Sequence, residues 1–279
     1  MKLLRSALLS LLCAAGLAHA APPARVVGLG GAVTEIIYAL DAEKTLVGSD
    51  SSSIYPAAAL KLPKVGYYRA VSVEGLASLR PDLVLAADQA GPPQAMEQIR
   101  KLGSKVVMLP SAPTLAALEQ RILGTATALE IPERGRALVD RLHTELRAIR
   151  PVSQPVRVLI VSSHTGKMQG MGTDTAGDAM LTLAGGTNVL AGQTGFKPFS
   201  AEAAAALKPD VIVTTTMSVS ASGSTDAFLA QPGLNATPAA RNRRIVVMDD
   251  LLLLGFGPRL PEALRLLQTG LATPQTAAR

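Results

Sequence analysis

The sequence predicts an α/β protein of two Rossmann-like lobes, each built on a mostly parallel sheet, with one long helix joining them. Short β-branched runs alternate with helical segments in both halves of the chain, which is typical of parallel sheets covered by helices. One module occurs twice, as VSVEGLASLRPDLVL over Val71–Leu85 and as FSAEAAAALKPDVIV over Phe199–Val213. Between the copies, the stretch from Thr114 to Arg150 has no strand-like run and spaces its leucines as a helix does.

The repeated module predicts a helix that leads into a buried strand. Ser72 can cap the helix, Glu74 lies in its first turn where the helix dipole favours a carboxylate, and Pro81-Asp82 ends it before an apolar run. The same residue types recur 128 positions later (200 minus 72), which is too long a period for a solenoid or a propeller. The module therefore indicates duplication of a whole lobe.

The first residues, 1–20, are predicted to be a signal peptide. Met1 to Arg5 is basic, Ala7 to Leu17 is apolar, and Ala18-His19-Ala20 fits the cleavage pattern, so we expect cleavage after Ala20 and a periplasmic protein. Cys13 is the only cysteine and follows a leucine, whereas lipid attachment needs a small residue there. The mature chain then has no disulfide and no thiolate metal site.

The N-terminal lobe is predicted to span residues 21–131. Its expected strands and helices alternate along the chain: strands Arg25–Leu29, Thr45–Gly48, Leu83–Ala87 and Lys105–Leu109, and helices Glu35–Leu40, with Thr34 as its cap, and Pro93–Leu102.

The connecting helix is predicted at residues 132–154 and the C-terminal lobe at 155–279. The expected elements of that lobe are the strands Arg157–Ser162 and Ile245–Met248 and the helices Ala176–Ala184 and Pro261–Leu267. A helical connection predicts little hinge motion. Open parallel sheets bind ligands beyond the carboxyl ends of their strands, so we expect the ligand between the lobes.

Two adjacent tyrosines, Tyr67 and Tyr68, precede the first module copy together with Arg69. Neighbouring side chains of an extended chain point to opposite sides, so at least one phenol should face the cleft or solvent. A phenol can bind ferric haem as phenolate when a cation helps it to ionise, and Arg69, expected on the same side as Tyr67, could be that cation. The alternative is that Tyr67 packs under the loop and Arg69 is solvated.

Three further side chains could contact a ligand from the second lobe. His164 follows the strand at 158–163 at its carboxyl end, although a lone histidine is more often structural. Met168 and Met171 lie in a glycine-rich stretch, and either could pack against a flat apolar ligand or fill a gap in the core.

Glu74 and Glu202 occupy equivalent positions of the two module copies. A matched pair of acidic groups suits docking onto a two-fold basic partner. First-turn helix electrostatics would explain either glutamate separately.

Signals for an enzyme or a nucleic-acid-binding protein are missing. The strand ending at Leu29 is followed by Gly30-Gly31, but the third glycine of a dinucleotide fingerprint would fall at Val33. Asp249-Asp250 is expected to be a turn or a helix cap. The net charge of +6 is spread over helical stretches and includes no basic run with aromatic residues. We expect a non-enzymatic protein with an anionic ligand.

Four motifs together carry a family resemblance: GGAVTE at Gly30–Glu35, VGYYR at Val65–Arg69, GTDTAGDA at Gly172–Ala179 and GFGPR at Gly255–Arg259. With them the chain resembles the periplasmic haemin-binding proteins of bacterial ABC importers, which are related to vitamin B12 and ferric-siderophore binders. The resemblance covers the mature chain and implies the helical-backbone periplasmic binding protein fold.

That resemblance implies haem as the transported ligand. Tyr67 would be the axial iron ligand, Arg69 its hydrogen-bonding neighbour, His164 a second ligand, and Arg259 a contact near the cleft or the haem propionates. Glu74 and Glu202 would engage arginines of an inner-membrane ABC permease dimer with its ATPase. A monomer, supplied by an outer-membrane haem uptake system, is expected; a cobalamin or ferric-siderophore binder is the alternative.

Overall fold

The computed structural model describes residues 22–154, 156–163, 167–198, 204 and 206–272. The predicted signal peptide, His164 and Glu202 lie outside these residues. Within them, no helix is both long enough and apolar enough to cross a membrane.

Four parallel strands form the sheet of the N-terminal lobe in the order β2-β1-β5-β6. These strands and the helices that accompany them are β1 (Val26–Leu29), α1 (Gly31–Ala39), β2 (Leu46–Ser49), α2 (Val73–Ser78), β5 (Leu83–Ala87), α3 (Pro93–Lys101) and β6 (Lys105–Leu109). A short antiparallel hairpin, β3 (Gly66–Tyr67) with β4 (Ala70–Val71), and two 3-10 helices, Glu43–Thr45 and Ala57–Lys61, complete the lobe.

The sheet of the C-terminal lobe has the order β10-β8-β7-β11-β12, with β9 also paired to β7. Its strands are β7 (Arg157–Ser163), β8 (Met168–Met171), β9 (Thr187–Asn188), β10 (Phe196–Pro198), β11 (Val211–Thr215) and β12 (Ile245–Met248). Its helices are α6 (Ala176–Ala184), α7 (Thr216–Ala221), α8 (Thr225–Leu229), α9 (Pro238–Arg241), α10 (Asp250–Leu254) and α11 (Leu260–Ala272). β8 runs antiparallel to β7 and β10, an edge that sequence periodicity did not predict.

The duplicated module has the same hydrogen bonds in both lobes. Asp82 Oδ2 accepts the backbone N–H of Arg25 at 3.0 Å, and the guanidinium of Arg25 donates to the carbonyl of Leu79 at 2.7 Å. Asp210 Oδ2 accepts the N–H of Arg157 at 3.0 Å, and that guanidinium donates to the carbonyl of Leu207 at 2.7 Å.

Ser72 caps α2 as expected, since its hydroxyl oxygen accepts the N–H of Gly75 at 2.9 Å. The predicted cap Thr34 was wrong. Helix α1 begins four residues earlier, after Gly30, whose φ of 104° suits glycine. Thr34 is fully buried within the helix, and its hydroxyl lies 2.8 Å from the Ser53 hydroxyl.

Two helices, α4 (Leu115–Ala128) and α5 (Pro132–Arg147), occupy the segment between the lobes. The break falls at the predicted Ile131-Pro132 pair. The segment predicted as helical, 132–154, is an α-helix only as far as Arg147. Pro151 disfavours helical geometry at Arg150, so the helix does not continue to 154. Gly135 lets the two helices approach closely, since a Cβ there would lie 2.5 Å from the Cβ of Ala126.

Helix α5 contacts both lobes. Near its start, Arg134 donates to the carbonyls of Leu40 and Asp41 at 3.0 Å, and near its end Glu145 pairs with Arg265 of α11 at 3.0 Å. One continuous hydrophobic core includes side chains of both sheets and of the connecting helices: Leu83, Ile122, Leu138, Ile160 and Leu264. A shared apolar core of this kind opposes hinge motion.

Candidate functional site

The hairpin that carries the two tyrosines lies over the carboxyl ends of β2 and β5. The N–H of Ser51 donates to the carbonyl of Gly66 at 2.8 Å, and the N–H of Gly91 donates to the carbonyl of Tyr68 at 2.9 Å. Gly66 begins the hairpin with φ at 101°, and a Cβ there would lie 2.9 Å from the carbonyl oxygen of Ala70. These backbone contacts fix the hairpin where an open α/β sheet presents ligand groups.

Asp50 organises this edge of the lobe. Its carboxylate is fully buried and accepts five hydrogen bonds, from the N–H groups of Gly30, Ser52 and Tyr68 and the hydroxyls of Ser52 and Ser53. One side chain thereby ties the start of α1, the loop after β2 and the tyrosine hairpin together. A carboxylate can accept this many donors, whereas neutral side chains of similar size cannot.

At least one of the two tyrosines is exposed, as predicted, although their rings contact each other and do not point to opposite sides of the chain. Tyr67 is 46% exposed, whereas Tyr68 is half-buried and packs against the core of the lobe. Their ring centroids are 4.7 Å apart, with 65° between the ring planes. The alternative in which Tyr67 packs under the loop is wrong.

The two phenols therefore differ in chemistry. Burial raises the pKa of Tyr68 to about 12, the Tyr67 phenol adds to the rise, and the Arg69 guanidinium opposes it. A phenol with this pKa stays protonated at neutral pH and is a poor source of phenolate. Tyr67 is the phenol that is open to a ligand.

Arg69 lies against Tyr68, and its predicted hydrogen bond to Tyr67 stays a prediction. Its guanidinium carbon is 5.2 Å from the centroid of the Tyr68 ring, and its Nη2 donates to the side-chain oxygen of Gln89. The expectation assumed an extended chain, but Tyr68 and Arg69 form the turn between β3 and β4, where sides do not alternate.

The methionines predicted to contact a ligand have different surroundings. Met171 is fully buried, and a Cβ at Gly177 would lie 3.1 Å from its sulphur, so it fills the core and does not line a cleft. Met168 is half-buried and packs against a core cluster of the C-terminal lobe. Its predicted ligand contact stays a prediction.

Glu74 is exposed in the first turn of α2, where the hydroxyl of Ser72 donates to its Oε2 at 3.2 Å. This position is open to a partner.

Arg259 forms an interlobe contact, and its predicted contact near the cleft or the haem propionates stays a prediction. Its Nε and Nη2 donate to the two oxygens of Glu35 at 3.0 and 3.3 Å, and Nη2 also donates to Asp249 Oδ1 at 3.3 Å. Its guanidinium carbon lies 3.5 Å from the centroid of the Tyr55 ring. Asp249 caps α10, as predicted. Because these partners are far apart in sequence, no local pattern could have revealed the contact.

A cavity of about 360 Å³ borders this contact. Its wall includes Tyr38, Tyr55, Arg141 and Arg259, while Tyr67 does not line it. Among the residues described, no group of three or more histidine, cysteine, aspartate and glutamate side chains could hold a bare metal ion.

Comparison with known proteins decides the family. The sequence pattern of the periplasmic binding protein family matches residues 26–252. The chain belongs to this family. Its members are binding proteins of transport systems, and the α/β fold described above is the one that this family adopts.

Three relatives show what this binding protein is similar to. The structure of the periplasmic haem-binding protein BhuT with two haems has 43% identity and a TM-score of 0.82, and the match covers 89% of this chain and 99% of BhuT. The ABC transporter substrate-binding lipoprotein YvrC of Bacillus subtilis is 30% identical, over 86% of this chain and 77% of YvrC. The vitamin B12-binding protein of Vibrio parahaemolyticus is 26% identical, over 80% of each chain.

Two features of this binding protein were missed in the sequence. Asp50 could have been suspected, because it stands directly after a strand at the carboxyl edge of the sheet. Met217 lies in the first turn of α7, just after β11, is 51% exposed, and is fixed by its N–H, which donates to Asp250 Oδ2 at 2.9 Å. An exposed thioether at this edge is a candidate apolar contact from the C-terminal lobe.

Proposed function

We propose that this periplasmic binding protein binds haem between its lobes through Tyr67 and delivers it to an inner-membrane ABC permease. The observation that carries the proposal is the exposed Tyr67 phenol on a hairpin held rigidly over the carboxyl edge of the sheet. Its likeness to BhuT over nearly the whole chain supports haem as the cargo.

The chemistry of the hairpin fits ferric haem. A phenolate is a hard anionic ligand for ferric iron, and the aromatic pair adds apolar surface for the flat porphyrin. Arg69 supplies positive charge beside the two tyrosines, with its guanidinium carbon 5.2 Å from the centroid of the Tyr68 ring. A nearby cation favours the ionised form of a phenol. Tyr68 acts as the buried support and Tyr67 as the ligand.

The C-terminal lobe would provide the opposite wall of the cleft. Met217 is the described side chain best placed to contact the second face of the porphyrin, because it is exposed at the carboxyl end of β11. His164 remains a proposed second iron ligand, on the grounds of its sequence position after β7.

Delivery is proposed to use one acidic group on each lobe. The exposed Glu74, with Glu202 as its counterpart in the repeat, would pair with arginines of the two permease subunits, which an ATPase powers. The likeness to YvrC supports an ABC transporter as the partner. We also propose that the protein is exported with loss of residues 1–20 and acts as a monomer. An outer-membrane uptake system would supply it with haem.

Cobalamin or a ferric siderophore is the second candidate cargo, because a vitamin B12-binding protein matches the chain over most of its length. Titration of the purified protein with haemin, cyanocobalamin and a ferric hydroxamate siderophore separates the candidates. We expect a saturable Soret shift with haemin and no saturable binding of the other two. Tighter binding of cobalamin or of the siderophore than of haemin would overturn the proposal.

A further inference from the structure

A short segment of the C-terminal lobe, residues 255–259, makes the polar contacts between the lobes. We infer that this segment, together with Glu35, Tyr55 and Arg121 of the N-terminal half, forms an interlobe clamp whose side chains are positioning residues that set the cleft for ligand retention. The inference rests on the proposed function for the identity of the ligand. No residue of the clamp belongs to the tyrosine hairpin.

The first contact of the clamp is the ion pair between Glu35 and Arg259. The Glu35 side chain is 4% exposed and that of Arg259 is 15% exposed, so solvent screens the pair poorly. Burial raises the pKa of Glu35, and the Arg259 guanidinium opposes that rise. Separating the two partners would leave a buried charge without compensation, so lobe movements that break this ion pair are costly.

The second contact stacks Arg259 on Tyr55, with the guanidinium carbon 3.5 Å from the ring centroid. An arginine can pair with a carboxylate in its plane and stack on an aromatic ring at the same time, whereas lysine cannot do both. Tyr55 belongs to the loop after β2, so the stack joins that loop to the segment at 255–259.

The third contact comes from Arg121 of α4, which is almost fully buried. Its Nη2 donates to the carbonyl of Phe256 at 3.1 Å, and its Nε is buried without a hydrogen-bond partner in the part of the chain described. Burial lowers the pKa of Arg121 to about 10, while the charges of Asp88 and Glu35 oppose the fall. A buried cation with one unpaired donor is costly, so the hydrogen bond that it makes to Phe256 is the contact that fixes Arg121 against the segment at 255–259.

The backbone of the clamp is itself constrained. Phe256 is buried with φ at 44°, a left-handed conformation that is rare for a bulky residue. Gly257 lies beside Glu35, and a Cβ there would meet Glu35 Oε1 at 3.4 Å, an ordinary van der Waals distance. Surrounding contacts must hold such a backbone in place, and they come from both lobes.

These contacts connect loops that follow strands on the cleft side of both sheets: α1 follows β1, the Tyr55 loop follows β2, and the segment at 255–259 follows β12 and α10. Their geometry therefore sets the separation of the two cleft walls. A looser clamp should widen the range of separations and speed ligand escape, while Tyr67 still binds the iron.

The test uses two variants that weaken the clamp and two controls. Tyr55→Leu removes the stacked ring at a partly exposed site, and Arg259→Lys keeps the charge but loses the paired and stacked geometry. Arg243→Gln breaks an exposed ion pair within the C-terminal lobe. Ile99→Val removes one methyl group from the core of the N-terminal lobe, away from the clamp.

Interlobe separation is read by pulsed EPR between nitroxides on Glu97→Cys and Ala230→Cys, which are exposed and lie in different lobes, in a Cys13→Ser background. Haem release is read by stopped-flow transfer of haem to excess apomyoglobin. We expect both clamp variants to broaden the distance distribution and to speed haem release by roughly three- to tenfold. The absorption spectrum of the haem complex should stay that of the wild type.

An unchanged distance distribution in both clamp variants would overturn the inference, as would broadening without faster haem release. Equal effects of Ile99→Val or Arg243→Gln would also overturn it, because general destabilisation would then suffice. If Arg259→Lys does not fold, Tyr55→Leu decides. Absence of a haem complex in the wild type would instead refute the proposed function, and the EPR distances would still report on the clamp.

Discussion

The N-terminal lobe anchors its module through Arg25 and Asp82, and the C-terminal lobe repeats this anchor with Arg157 and Asp210 at matching distances. The loops beside the anchors do not match. Tyr67-Tyr68-Arg69 forms a hairpin before the first module copy, whereas Phe196 and Lys197 of β10 form an antiparallel edge strand before the second.

This difference distinguishes residues that support the fold from residues that could select the ligand. The duplicated residues hold a helix against a strand, a task that both lobes share. Binding groups reside on loops, which change without disturbing the sheet below them. One lobe therefore offers an exposed phenol supported by Asp50, and the other offers an exposed methionine, Met217, at the corresponding edge.

The largest effect on stability should come from the support that only the N-terminal lobe has. Asp50→Asn replaces one acceptor oxygen by a donor that faces buried N–H and hydroxyl groups. We expect a loss of about 3 kcal/mol in the free energy of unfolding, measured by urea denaturation. Asp88→Asn is the matched control, because Asp88 also follows a strand but is exposed and, within the described part of the chain, accepts hydrogen bonds only from Ser111. Equal losses in the two variants would refute the central role of Asp50.

A smaller effect tests the duplication itself. Arg25→Ala and Arg157→Ala each remove an exposed arginine that donates to carbonyls at the end of the module helix. Both should lower the free energy of unfolding by about 1 kcal/mol, and by similar amounts. The same urea measurement checks this, with Arg243→Gln as a surface control. Losses that differ several-fold between the lobes would contradict structural equivalence of the two anchors.

The smallest effect at neutral pH concerns Tyr68. Because the pKa of Tyr68 is raised to about 12 from an ordinary 10, its contribution to stability is complete below pH 10 and is lost as the pH rises through 12. Tyr68→Phe should abolish that alkaline loss and remove one phenolate transition near pH 12. Ultraviolet titration of the tyrosines measures the transition, with Tyr67→Phe as control. Persistence of the transition in Tyr68→Phe would show that another phenol is responsible.

Elements with strong local patterns were predictable from the sequence. β6, β12 and α6 have the predicted limits because apolar periodicity, a proline and a glycine mark their ends. Thr34 was predicted as a helix cap because threonine is common at that position. The turn at Gly30 lets α1 start earlier, so Thr34 is buried within the helix. Two adjacent tyrosines directly before the first module copy indicated the tyrosine loop, because neighbouring side chains of an extended chain cannot both be buried.

Contacts between distant residues were not predictable. Arg259 lies 224 positions from Glu35, and its guanidinium could equally have faced an anionic ligand. The contacts of Arg69 with Tyr68 and Gln89 were not predictable, because the turn that carries Arg69 forms only when β3 and β4 pair. Tertiary contacts, and not the local sequence, determine that Arg259 pairs between the lobes while Arg69 lies beside the tyrosine hairpin.

Haem ligation by Tyr67 is the central claim, and spectral titration of Tyr67→Phe with haemin tests it most directly, with Tyr68→Phe alongside. We expect Tyr67→Phe to lose the phenolate-to-iron charge-transfer band and to bind haemin more weakly by on the order of 100-fold, the scale of loss typical of a disrupted metal site. Tyr68→Phe should keep the wild-type band and an affinity within about twofold. A wild-type spectrum and affinity in Tyr67→Phe would contradict the account.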